Sequence, residues 1–175
     1  VLDNLIADQS IATILVVFVT PTDRNAEYAF EQKDAYQKFF TEELVTYVDE
    51  KYATARDASK RAVIGDSYGG NIAALISFNY PEVFGNCGLH SGAFQANNFE
   101  TNKTVMDGVK KDIKVVSIWG SYEGGSLPNN MHQLKDYLLE KDYELYWKEL
   151  PEGHSWGLWR ATQDDILTYF FPYEN

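Results

Sequence analysis

Short apolar runs alternate with longer stretches of helical period along this chain. The runs fall at residues 62–64, 87–90, 115–119 and 145–147, and a longer one fills residues 11–19. Runs of this length, bounded by turn residues, suit strands buried on both faces. Residues 31–52 carry Ala35, Phe39, Leu44, Val48 and Tyr52 along one stripe, the spacing of a long amphipathic helix. Further helices are predicted at the N-terminal end, from residue 68 to just before Pro81, over residues 129–141 and at the C-terminal end. Residues 92–111 are rich in polar and turn residues and show no period. Strand alternating with helix predicts an α/β fold with a doubly wound, mostly parallel sheet. No repeat or low-complexity tract interrupts it, and Gly124-Gly-Ser126 reads as a loop within one domain.

The first of the four short runs leads into Gly65-Asp-Ser67-Tyr-Gly69, and a helix rich in small residues follows. Gly-x-Ser-x-Gly between strand and helix is the nucleophile-elbow pattern, in which a serine hydroxyl stands exposed on a strained turn above the sheet. Both glycines are expected where neighbouring backbone leaves no room for a Cβ. The N-terminus of the following helix aims peptide N–H groups at the serine, and the backbone N–H of Tyr68 is the expected oxyanion donor. Asp66, beside the serine, either opposes a nearby oxyanion or bonds to loop amides.

A nucleophilic serine needs a base, and the chain has three histidines. His132 lies mid-helix, on a solvated face. His90 ends a strand before Ser91-Gly92, too early in the chain for the order serine, acid, histidine. His154, in Pro151-Glu-Gly-His-Ser-Trp-Gly-Leu-Trp159, follows the last strand and precedes the last helix, and is the expected base. Glu123 is the one carboxylate in the turn after the run at 115–119. The order Ser67, Glu123, His154 is that of the Ser…Asp/Glu…His enzymes built on an elbow, where the carboxylate fixes the imidazole tautomer and favours the imidazolium. The plain alternative for Glu123 is an exposed turn acid.

Together, G-D-S-Y-G-G-N-I-A-A-L, N-Y-P-E-V-F-G, H-S-G and P-E-G-H-S-W-G-L-W-R resemble the family of esterases that joins enterochelin esterases, feruloyl and acetylxylan esterases, and mycolyltransferases. The likeness covers nearly the whole chain, and Asp23-Arg24-x-x-Glu27-Tyr28 agrees with it. It implies an α/β-hydrolase fold and a serine esterase acting through an acyl-enzyme on an acyl-carbohydrate (feruloyl or acetyl) or siderophore ester, with no cofactor and no metal. An acyltransferase and a non-catalytic module of the same fold are the alternatives. Trp156 and Trp159 flank the base; each either stacks on substrate or anchors the last helix. Arg24 and Glu27 either frame the pocket or form an exposed ion pair. The family places a further strand, and the loop giving a second oxyanion donor, upstream of these elements. Residues 1–175 are therefore expected to be the C-terminal, triad-bearing portion of one hydrolase domain that lacks the N-terminal strands. Residues 11–19 and 62–64 are then strands that do not pair with each other.

Composition narrows the partners. The formal net charge of −11 disfavours nucleic acid and anionic membrane surfaces, and gives no long-range help to an anionic substrate. No apolar run is long enough to span a bilayer. The single cysteine, Cys87, excludes an intrachain disulfide and reads as a small core residue. Asn102-Lys-Thr104 is a glycosylation sequon. A dinucleotide site fails on spacing, because Ser67 stands where that fingerprint needs its second glycine. No paired-histidine spacing supports metal-assisted hydrolysis.

Overall fold

The computed structural model describes residues 1–173. Four strands, β1 (Ala62–Asp66), β2 (Asn86–His90), β3 (Lys114–Gly120) and β4 (Glu144–Leu150), form one sheet in the order β1-β2-β3-β4. All three pairings are parallel. The helices, in chain order, are α1 (Leu2–Ala7), α2 (Arg24–Ala29), α3 (Lys33–Lys38), α4 (Val45–Lys51), α5 (Tyr68–Asn79), α6 (Ala96–Met106), α7 (Leu127–Glu140), α8 (Trp156–Ala161) and α9 (Gln163–Phe170).

The register aligns Val63, Cys87, Val115 and Leu145 in one row, and Ile64, Gly88, Val116 and Tyr146 in the next. Successive rows face opposite sides of a pleated sheet. The first row packs with Ile72 and Ile76 of α5, Val105 of α6 and Leu134 and Leu138 of α7. The second packs with Leu158 of α8 and Ile166 and Phe170 of α9. Helices therefore cover both faces, and strands β2 and β3 are buried throughout the stretch 86–90 and nearly throughout 114–120. That double burial is why these segments read as continuous apolar runs.

Three expectations need correction. Residues 11–19 are not a sheet strand: only Ile11 pairs, in an isolated antiparallel bridge to Pro172. The rest runs without regular structure, with Leu15, Val16, Val17 and Phe18 exposed. An apolar run becomes a strand only when a neighbour takes up its backbone groups. Among the described residues β1 pairs with β2 alone, so no such neighbour stands on its other side. Residues 11–19 and β1 are accordingly not paired with each other.

The long helix expected over residues 31–52 is broken into α3, a π-helical turn (Phe39–Leu44) and α4. The wider turn is closed by Val45 N–H donating to Phe40 O, and Thr41 Oγ1 donates back to Gln37 O at 3.0 Å. Inserting a residue into the helical turn lets the adjacent Phe39 and Phe40 both reach the Tyr36 ring, at 5.9 and 5.0 Å. Finally, residues 92–111 contain α6, whose opening residues Asn97, Asn98 and Phe99 all have positive φ. Left-handed backbone of this kind suits asparagine. Because α6 buries Thr101 and Asn102 as well as Val105, it lacks the apolar stripe that would reveal it.

Candidate active site

The C-terminal ends of the four strands are stitched together by backbone bonds beyond the sheet itself. Ser67 N–H donates to His90 O at 2.9 Å, Ser91 N–H to Ile118 O at 2.8 Å, and Ser121 N–H to Leu150 O at 2.8 Å. Crevices at this edge of a parallel sheet are where α/β proteins bind their ligands. The sequence-selected serine, acid and histidine all lie on it.

Ser67 joins β1 to α5 with φ 59° and ψ −118°, a strained conformation for a residue with a Cβ. Its carbonyl accepts from Asn71 N–H and Ala93 N–H, which fixes the turn from both sides. A Cβ on Gly65 would lie 2.1 Å from Gly69 O, so the close approach expected here holds for Gly65. It does not hold for Gly69, whose nearest neighbour would be a Tyr28 ring atom at an ordinary 4.0 Å. Tyr68 is the first residue of α5, and its N–H is engaged by no acceptor among the described residues.

Glu123 is buried, its side chain fully so, and is not an exposed turn acid. Its Oε2 lies 3.2 Å from His154 Nδ1. Its Oε1 accepts from Gly120 N–H at 2.8 Å and Ser91 Oγ–H at 2.5 Å. Two loops must meet for this contact. Tyr122 N–H donates to Glu152 O at 3.0 Å, and Gly120 has no space for a side chain, since a Cβ would stand 2.1 Å from that same carbonyl. His154 is one-third exposed and presents Nε2 away from the acid. Among the described residues no hydrogen bond joins Ser67 Oγ to that nitrogen.

The surrounding candidates separate. Arg24 does not pair with Glu27 among the described residues. Its guanidinium donates to Asp66 O at 3.4 Å and lies over the rings of Tyr28 and Tyr68, at 5.8 and 5.4 Å. Glu27 instead accepts from Thr22 N–H and Asp23 N–H, closing the start of α2. Trp159 is buried against His154, rings edge-to-face at 4.9 Å, whereas Trp156 is 67% exposed. His132 pairs with Glu149 near the end of β4, at 3.1 Å, and not with Glu123. The sequon residue Asn102 is buried.

Sequence reasoning missed two contacts. Asp66 Oδ1 pairs with Nδ1 of the fully buried His90 at 3.0 Å, while His90 Nε2 meets Thr162 Oγ1 at 2.9 Å. Asn71, buried in α5, donates to Tyr28 O and accepts from Thr101 Oγ1, tying α2, α5 and α6 together. Both join residues far apart in the chain, which no local spacing encodes. A polar residue in an otherwise apolar run, such as His90, was the signal available.

This fold and edge define a class, and comparison with known proteins gives the family. The family described as "Putative esterase" matches residues 1–170, and the chain belongs to it. Among curated proteins, it is 28% identical over 142 residues to the uncharacterized protein YjcH of Bacillus subtilis, covering 72% of this chain and 55% of that protein. It is 34% identical over 95 residues to an endo-1,4-beta-xylanase/feruloyl esterase of Xylanibacter ruminicola, covering 53% of this chain and 13% of that one. Among solved structures, the enterobactin esterase of Shigella flexneri superposes with a TM-score of 0.83 at 19% identity, over 97% of this chain and 46% of that one. The fold is therefore shared with that esterase, and the chain spans about half the length of YjcH and of the enterobactin esterase.

Proposed function

We propose that the protein is a serine esterase. Ser67 Oγ attacks the carbonyl carbon of a carboxylic ester while His154 Nε2 takes its proton, and Glu123 holds Nδ1–H and stabilises the imidazolium. The oxyanion is received by Tyr68 N–H at the start of α5. His154 then returns the proton to the departing alkoxide, leaving an acyl-enzyme. Water, activated by the same imidazole, attacks the acyl carbonyl and releases the acid with Ser67 restored.

The observation that carries this reading is the strained Ser67 between β1 and α5 on the same sheet edge as a His154–Glu123 pair. The open Ser67–His154 contact is in keeping with it, because such bonds are often loose without substrate. Family membership supports ester hydrolysis as the reaction. Two residues at the rim support a substrate class. Exposed Trp156 offers a flat apolar face for a sugar or aromatic acyl group, and Arg24 stands against the elbow for a polar one. The relatives named for feruloyl and enterobactin esters fit that pairing, so we assign an acyl-carbohydrate or siderophore ester.

The test is turnover of acetyl, feruloyl-sugar and catecholate esters by the whole protein. Ser67→Ala and His154→Ala should each lower kcat by on the order of a millionfold, since either loss disables the pair, and Glu123→Gln by about ten thousandfold. Equal turnover in wild type and Ser67→Ala would overturn the assignment.

A further inference from the structure

The Glu123 carboxylate is gripped on the side away from His154, by residues with no part in the chemistry above. Ser91 Oγ lies 2.5 Å from Glu123 Oε1 and 2.9 Å from Trp159 Nε1. The protons settle the direction. An indole N–H only donates, so Ser91 Oγ accepts there and gives its own single proton to the carboxylate. The chain Trp159 N–H, Ser91 O–H, Glu123 Oε1 is buried at every member. Trp159 also meets the His154 ring edge-on, at 4.9 Å and 89°. One tryptophan thus packs directly on the histidine and reaches the acid through Ser91.

Two features mark Ser91 as more than filler. Its backbone is left-handed, at φ 51°, a conformation that disfavours any Cβ, although Gly92 beside it shows that the segment admits glycine. Among the described residues its hydroxyl is also the one side-chain donor to Glu123 besides the imidazole. Glutamate has one more rotatable bond than aspartate. Held on that side by Gly120 N–H alone among the described residues, the carboxylate would swivel and carry Oε2 off His154.

We propose that Ser91, oriented by Trp159, is a positioning residue that fixes the Glu123 carboxylate against His154. The proposal rests on the triad reading given above. The variant that tests it is Ser91→Gly, which removes the hydroxyl while relieving the left-handed strain, and that relief offsets part of the cost of leaving the Trp159 N–H unpartnered. Its kcat should fall about a hundredfold, the scale expected when catalytic groups lose alignment, with KM unchanged. Trp159→Phe keeps an aromatic ring beside His154 but removes the indole N–H together with part of the ring's bulk, and should also lower kcat, through loss of the donor that orients Ser91. In a Glu123→Ala background there is no carboxylate left to position, so adding Ser91→Gly should change kcat less than threefold.

A fall of less than threefold in Ser91→Gly would overturn the proposal, as would an undiminished hundredfold fall in the Glu123→Ala background. Either result differs from wild-type turnover in Ser67→Ala, which would instead remove the triad reading itself.

Discussion

At the scale of single residues, backbone proximity and burial set the sharpest expectations. Gly65→Ala places a methyl 2.1 Å from Gly69 O, and backbone on both sides cannot yield without opening the elbow. The expected cost is about 3 kcal/mol, at the upper end for overpacking, read as a lowered urea midpoint together with lost activity. Gly69→Ala, which meets only a ring atom at 4.0 Å, should cost far less. Cys87 makes a second case. Burial pushes its thiol up from an ordinary 9.0 to about 12, with a Ser77 contact opposing only weakly. The folded thiol stays neutral where the unfolded one ionises, so its contribution to stability is whole below pH 9 and is lost as pH rises toward about 12. Thiol-reactive probes at pH 8 should label Cys87 only after denaturation; rapid labelling of the folded protein would contradict its place in β2.

Among elements, the strand–elbow–helix unit from β1 to α5 was legible because one short motif fixes its local geometry. The loop carrying His154 was legible from its place between the last strand and last helix. Residues 11–19 misled because an apolar run does not reveal whether a neighbour exists to pair with it. The helix at 31–52 misled because a stripe drawn through Phe39 and Leu44 cannot register a π turn between them. Beyond the pairing of Glu123 with His154 that the chain order suggested, contacts between elements were not legible. His90 links Asp66 at the end of β1 to Thr162 between α8 and α9, across 24 and 72 residues. Thr162→Val keeps the shape and removes the hydroxyl, leaving a buried imidazole nitrogen unpartnered, and should destabilise the protein by about 1–3 kcal/mol in urea unfolding. An unchanged midpoint would mean that this tie does not hold α8 and α9 to the sheet.

For the whole molecule, the open side of β1 matters most. A cleft of about 1550 Å³ lies there, with Ala12 to Val19 along one wall and Ala62 to Asp66 along the other. Among the described residues neither residues 13–19 nor the side of β1 away from β2 pairs with a strand, and Ser67 lines the same cleft. The unpaired side of β1 is expected to take a further parallel strand at the usual spacing of about 4.8 Å. Hydrogen exchange on the whole protein reads this directly. The β1 amides facing away from β2 should be protected with those facing it. Exchange as fast as that of an exposed edge would show that nothing fills the cleft.

The central claim is that Ser67 is the nucleophile, and one measurement addresses it without knowing the ester. The whole folded protein is treated with a serine-directed organophosphonate, and the adduct is weighed intact and located by peptide mass. The account predicts one adduct, on Ser67, abolished in Ser67→Ala and after unfolding. Absence of any adduct on the folded protein, or an equal yield in Ser67→Ala, would contradict it.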